Sequence, residues 1–167
     1  MKKVKFYTFG CKANQYDTQL LREKYLAEGF KETEDKVADI YLINGCVVTQ
    51  KAESECLSLF KKLQREYPSK EIILTGCLKK LLERNKNGER FVKDLAKEKI
   101  TFFAGHKRAF LKIQDGCDNF CSYCIVPYVR GKSQSKPKKL VLEELKGLLE
   151  NGYKEIVLTG ICLGDYG

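Results

Sequence analysis

The sequence predicts an α/β fold: a parallel-sheet N-terminal domain, then a second α/β unit that the chain only begins. Short apolar runs rich in β-branched and aromatic residues alternate with longer stretches of helical period, the pattern of a parallel sheet covered by helices. A Gly-Cys pair follows each of the first three apolar runs, at Gly10-Cys11, Gly45-Cys46 and Gly76-Cys77. The cysteines lie 35 (46 − 11) and 31 (77 − 46) residues apart, the length of a strand–helix–strand unit.

Val4–Phe9 is the first expected strand, and a helical pattern runs from about Asp17 to Glu28, where Gly29 can cap it. Asp39–Asn44 is the second strand. Its helix extends from about Thr49 to Tyr67, and Pro68 forbids continuation because it lacks the N–H. Glu71–Thr75 is the third strand, with helical residues from Leu78. A helix around Arg90–Lys97 and a fourth strand at Ile100–Phe103 complete a domain of residues 1–105. Residues 106–167 open a second: strand Ala109–Gln114, a cysteine-rich loop, a polar basic loop Gly131–Lys139, helix Leu140–Glu150 and strand Glu155–Thr159. Two strands and one helix are too few to close a core, so this domain is expected to be truncated.

Net charge is +9, from 31 Lys and Arg against 22 Asp and Glu, which suits a polyanionic partner such as nucleic acid. No apolar run approaches the ~18 residues needed to span a bilayer. The N-terminal MKKVKFYTFGCK has too short an apolar stretch for a signal peptide and reads as a strand. The expected location is the cytoplasm, with no membrane partner. Eight cysteines among 167 residues would suit a disulfide framework in a small secreted domain. In a reducing compartment, clustered cysteines bind metal or carry redox chemistry instead.

Two trios of cysteines carry the chemistry. All strands of a parallel sheet point one way, so Cys11, Cys46 and Cys77 lie on one edge, the carboxyl edge where open α/β sheets bind ligands. Glycine before each lets the backbone turn tightly and approach a bulky inorganic group. The alternative is three unrelated turn cysteines, since cysteine is also a common buried small residue. Cys117-Asp-Asn-Phe-Cys121-Ser-Tyr-Cys124 is a C-x3-C-x2-C loop after a strand. Its spacing lets one loop offer three thiolates to a single iron–sulfur cluster and leaves one iron open. A zinc site completed by an outside ligand such as His106 is the alternative, although zinc loops usually come as C-x2-C pairs.

The C-x3-C-x2-C loop, with Tyr123 before its last cysteine, resembles the signature of the radical S-adenosylmethionine superfamily. The longer run IQDGCDNFCSYCIVPYVRGKSQSK, with LTGICLGDYG after it, resembles one branch, the methylthiotransferases. FGCKANQYDT, INGCVVTQKAE and LTGC match that branch's N-terminal cysteine segments in order. The resemblance implies two [4Fe–4S] clusters, one on Cys11, Cys46 and Cys77, the other on Cys117, Cys121 and Cys124, with Tyr123 beside the adenine of S-adenosylmethionine. It also implies that the second unit opens a radical-SAM partial (β/α) barrel. In such enzymes the barrel cluster reduces S-adenosylmethionine to a 5′-deoxyadenosyl radical, and the N-terminal cluster delivers sulfur. The electron comes from a reductant such as flavodoxin or ferredoxin. Lys12-Ala13-Asn14-Gln15 resembles the branch that methylthiolates threonylcarbamoyladenosine beside the tRNA anticodon. Isopentenyladenosine or a ribosomal protein is the alternative target, and a non-catalytic metal-binding or electron-transfer module is the alternative class. Residues 1–167 alone are expected to be inactive.

The remaining candidates read as structural. Cys56 falls on a helical stripe with Ala52, Leu59, Phe60 and Leu63 and is expected in the core. Cys162 is expected to be a plain thiol, His106 a solvated residue, and Lys132–Lys139 a solvated loop able to touch RNA phosphate.

Overall fold

The computed structural model describes residues 2–83, 95 and 97–167. The chain forms two compact units, Met1–Gly88 and Glu89–Gly167. In the first, β1 (Lys3–Thr8), α1 (Lys12–Ala27), β2 (Lys31–Glu32), β3 (Ile40–Gly45), α2 (Gln50–Glu66), β4 (Glu71–Thr75) and α3 (Gly76–Glu83) follow in order. The strands pair in parallel in the order β2-β1-β3-β4. Every residue of β3 is buried, as expected of a central parallel strand, and α1, α2 and α3 all pack against it.

The register matters most for function. Thr8 pairs with Asn44 and Asn44 with Thr75, while Gly45 bridges Gly76, so β1, β3 and β4 end at one level. Helix α1 starts at Lys12, several residues before its apolar pattern does. Its first turns bury Asn14, Asp17, Thr18 and Gln19 beside Ala13 and Tyr16, so polar residues interrupt the hydrophobic period of the packed face. Helix α2 begins beside Thr49, where the expected helix starts, and the Thr49 hydroxyl caps it by accepting the Ala52 N–H.

Ile100–Phe103 is not a strand. The Ile100 N–H is donated to the Glu144 carboxylate at 3.0 Å, and the Tyr153 hydroxyl accepts from Phe103 N and donates to Phe103 O. Side chains of the second unit thus satisfy the backbone groups that a sheet would have used. The fourth strand of the sheet is instead the two-residue β2, beside β1. The helix expected around Arg90–Lys97 lies largely outside the described residues.

The second unit contains β5 (Ala109–Lys112), β6 (Gln114–Asp115), α4 (Val126–Arg130), β7 (Gln134–Ser135), α5 (Lys138–Glu150), β8 (Ile156–Thr159) and a 3₁₀ turn at Leu163–Asp165. Strands β5 and β8 pair in parallel, and β6 pairs with β7 antiparallel. The single strand expected at Ala109–Gln114 is broken at Ile113. That residue donates its N–H to Thr159 and accepts from the Lys136 N–H, so it hinges the two sheets. The supposedly solvated loop Gly131–Lys139 contains β7 and buries Lys136 completely against Glu144 on α5. Burial pulls the Lys136 ammonium below its ordinary range, against the opposing pull of Glu144.

Removing one partner of a buried ion pair strands the other charge, which costs about 3–5 kcal/mol. Lys136→Met is therefore expected to lower unfolding stability by that order in urea titration. The double variant with Glu144→Gln, which keeps an acceptor for Ile100, should recover a large part of the loss. An unchanged midpoint in the single variant would contradict the buried pair.

Candidate metal centres

The first trio sits where β1, β3 and β4 end. Cys11 occupies the N-cap position of α1 with an extended backbone (φ −78°, ψ 173°) and is exposed, whereas Cys46 and Cys77 are buried. Their glycines permit the close approach. Gly10 has φ +104°, and a Cβ there would lie 2.6 Å from the Cys46 Cβ and 2.8 Å from its Sγ. Gly76 has φ +78°, and a Cβ there would run into Asn44 Oδ1. At Gly45 a Cβ would meet the Cys56 sulfur at 2.7 Å. This is a glycine-walled cradle with three free thiols, two of them shielded from water, and it fits a group that takes thiolate ligands.

One buried amide organises this edge. Asn14 donates from Nδ2 to Phe9 O at 2.8 Å and to Gly45 O at 3.4 Å, and its Oδ1 faces the Cys77 thiol at 4.0 Å. It thereby touches all three strand-end turns. Asn44 donates to Asn14 O and to the Thr18 hydroxyl, while its own Oδ1 is a buried acceptor without a hydrogen bond. The Val48 N–H points at the Cys46 sulfur at 3.5 Å. The sequence displays Asn14 within CKANQ, but nothing in spacing alone distinguishes it from a solvated helix residue.

The second trio lies in the loop between β6 and α4. Cys117 and Cys124 are half-buried and Cys121 is exposed. The loop is closed by Cys117 N–H donating to Gly131 O and Cys124 N–H to Cys121 O. Phe120 adopts φ +42°, rare for a large side chain, and its ring packs edge-on against Tyr128 with centroids 5.6 Å apart. The donor set again fits a thiolate-bound group, and the Asn119 amide donates to the Cys117 sulfur at 3.4 Å. Tyr123 is 91% exposed.

Two buried polar residues absent from the sequence reading hold this loop. Gln114 donates from Nε2 to Asp115 O, Gly116 O and the Ser133 hydroxyl, and its Oε1 accepts the N–H groups of Ile161 and Cys162. Asp115 accepts from Lys112 at 2.8 Å, Arg130 at 2.7 Å and the Gly116 N–H. An open groove of about 860 Å³ begins at Asp118 and Asn119 and is lined further by Ser133, Ser135, Asp165 and Tyr166.

Cys162 is not isolated: its sulfur, that of Cys117 and an Asp165 carboxylate oxygen all lie within 4.8 Å of one another. Cys56 is fully buried in α2, as its apolar stripe implies. His106 is exposed, as expected of a solvated residue, and its ring packs edge-on to Phe103 at 5.3 Å and near Phe110. No helix among the described residues is long and apolar enough to cross a membrane.

An α/β chain whose second unit carries a C-x3-C-x2-C loop matches, over residues 111–162, the model of the radical SAM superfamily. The chain belongs to the family described as Uncharacterized protein family UPF0004, whose model matches residues 3–100. It is 38% identical, over 97% of its length and 44% of the relative's, to a threonylcarbamoyladenosine tRNA methylthiotransferase MtaB of Chlamydia pneumoniae. A protein of the same name from Aquifex aeolicus is 32% identical over 99% of this chain and 49% of its own length. A tRNA-2-methylthio-N(6)-dimethylallyladenosine synthase of Fervidobacterium nodosum is 30% identical over 99% and 45%. The chain thus spans about half the length of the curated relatives it matches.

Two outcomes follow from this geometry. Gly76→Ala forces a Cβ onto Asn44 and places a non-glycine residue at φ +78°; the backbone strain alone costs about 1–3 kcal/mol. Urea unfolding should show at least that loss, and an unshifted midpoint would contradict the cradle. Burial, with Cys46 adding, pushes the Cys56 thiol up to about 11. Its reaction with iodoacetamide should therefore stay slow at pH 8 and rise only toward pH 11, while exposed Cys121 of the metal-free protein reacts readily. Peptide mass spectrometry reads both sites.

Proposed function

We propose that the chain is the N-terminal part of a radical S-adenosylmethionine methylthiotransferase, an enzyme that adds a methylthio group to C2 of threonylcarbamoyladenosine beside the tRNA anticodon. The observation that supports this reading is two separate trios of free cysteines, one at the strand ends of the segment matched by the first family model and one in a loop of the segment matched by the second. Cys11, Cys46 and Cys77 would hold one [4Fe–4S] cluster, and Cys117, Cys121 and Cys124 the other. Three thiolates leave one iron of each cluster open to a further ligand. When bound, the clusters supply the electron that cleaves S-adenosylmethionine and the sulfur that is transferred.

The chain's own residues hold and insulate these groups. Asn14 fixes the three strand-end turns, and the N–H of Val48 and the amide of Asn119 point at the Cys46 and Cys117 sulfurs, where hydrogen bonds would tune the reduction potential of a bound cluster. The polar groove beside Asp118 and Asn119 suits a polar small molecule such as S-adenosylmethionine, with Tyr123 free to cover its adenine. The net charge of +9 suits tRNA phosphate. A flavodoxin or ferredoxin is the proposed reductant and the cytoplasm, where tRNA is modified, the proposed location. The choice of threonylcarbamoyladenosine follows the names of the Chlamydia and Aquifex relatives; the Fervidobacterium relative supports dimethylallyladenosine as the second reading.

The test uses the complete protein reconstituted without oxygen. Cys11→Ala or Cys46→Ala should still release 5′-deoxyadenosine from S-adenosylmethionine but form no methylthio nucleoside, whereas Cys121→Ala should abolish cleavage itself. Chromatography of 5′-deoxyadenosine and mass spectrometry of tRNA nucleosides read the two steps. Normal methylthiolation by the Cys11 variant would remove the sulfur-transfer role. A threonylcarbamoyladenosine pool that stays fully methylthiolated in a strain without the gene would remove the substrate assignment.

A further inference from the structure

Cys162 has a place in the structure that its position in the sequence does not suggest. Its sulfur, the sulfur of Cys117 and an Asp165 carboxylate oxygen lie within 4.8 Å of one another. A tetrahedral zinc ion with Zn–S bonds of about 2.3 Å holds its sulfurs about 3.8 Å apart, so small side-chain rotations bring these atoms to ligand distance. Hydrogen bonds of the Gln114 side chain and of the backbone already hold the three segments together. Gln114 Oε1 accepts both Ile161 and Cys162 N–H, its Nε2 donates to Gly116 O beside Cys117, and Asp165 N–H donates to Cys162 O. Tyr166 anchors the end of the turn by donating its hydroxyl to Lys136 O at 2.8 Å. The Asn119 amide lies 3.4 Å from one sulfur and 4.0 Å from the other, a donor shared by two prospective thiolates.

We propose that Cys117, Cys162 and Asp165 form a zinc site, with water as fourth ligand, in protein whose second cluster has not been installed. Binding displaces the two thiol protons to solvent and involves no redox change. The site shares only Cys117 with the loop trio. On the reading of that trio as cluster ligands, zinc and the cluster are mutually exclusive, and zinc delays iron loading of the second unit.

The test takes the complete protein, stripped of iron under argon, and titrates it with Zn²⁺ against a chromophoric chelator, with Co²⁺ absorption reporting thiolate ligation. Loss of a direct ligand should weaken zinc by more than the roughly 10- to 100-fold that losing a ligand's hydrogen-bond partner costs. Cys162→Ala and Asp165→Asn should both show that loss, while Cys121→Ala should retain parental affinity. Iron reconstitution should give the reverse pattern: Cys162→Ala loads fully and is no longer slowed by zinc, whereas Cys121→Ala loses the loop cluster. Asp165 is exposed, so its variant decides the matter if the Cys162 variant fails to fold. Parental zinc affinity in Asp165→Asn, or loss of zinc in Cys121→Ala, would overturn the site. Failure of iron loading in the parent would instead overturn the cluster reading and leave the zinc result standing.

Discussion

The common level at which β1, β3 and β4 end is the constraint on which the first site depends. Pairing of Thr8 with Asn44 and of Asn44 with Thr75 sets three Gly-Cys turns side by side. A slip of one residue in β4 would carry the Gly76-Cys77 turn about 3.3 Å along the sheet. It would also turn Ile72, Ile73 and Leu74 of β4 to the opposite faces of the sheet. Asn14 adds a polar lock, because moving either neighbouring strand end would cost its buried amide a hydrogen bond.

The second unit solves a similar problem with different means. Its cysteines come from one loop, so the need is to hold that loop against the turn after β8. Gln114 and Asp115 do this from two adjacent buried positions, one by bonding the backbone of both segments, the other by gathering Lys112 and Arg130. Networks of this kind are costly when half satisfied and rigid when complete. The same rigidity places Cys162 and Asp165 beside Cys117, a grouping that leaves out Cys121 and Cys124.

The sheet, its parallel order and the edge bearing the first three cysteines were legible because β-branched runs and Gly-Cys pairs recur at the spacing of a βαβ unit. The start of α1 was not, because Asn14, Asp17, Thr18 and Gln19 share its buried face with Ala13 and Tyr16 and break the apolar period. Ile100–Phe103 reads as a strand by composition, yet its backbone is satisfied by Glu144 and Tyr153, partners more than forty positions away that no local pattern reveals. Lys136 looked like part of a solvated basic loop; its burial depends on Glu144 meeting it from α5. The loop trio was fully visible as a motif, whereas the neighbours of Cys162 arise only when the turn after β8 folds back onto Gln114.

The central proposal is that Cys11, Cys46 and Cys77 hold one [4Fe–4S] cluster and Cys117, Cys121 and Cys124 a second. Iron and acid-labile sulfide, counted per chain after anaerobic reconstitution, test it most directly. Two such clusters predict about eight irons and eight sulfides, with half of each lost when either trio is replaced by alanine. Stoichiometric zinc that persists through reconstitution, with no thiolate-to-iron absorption, would contradict it.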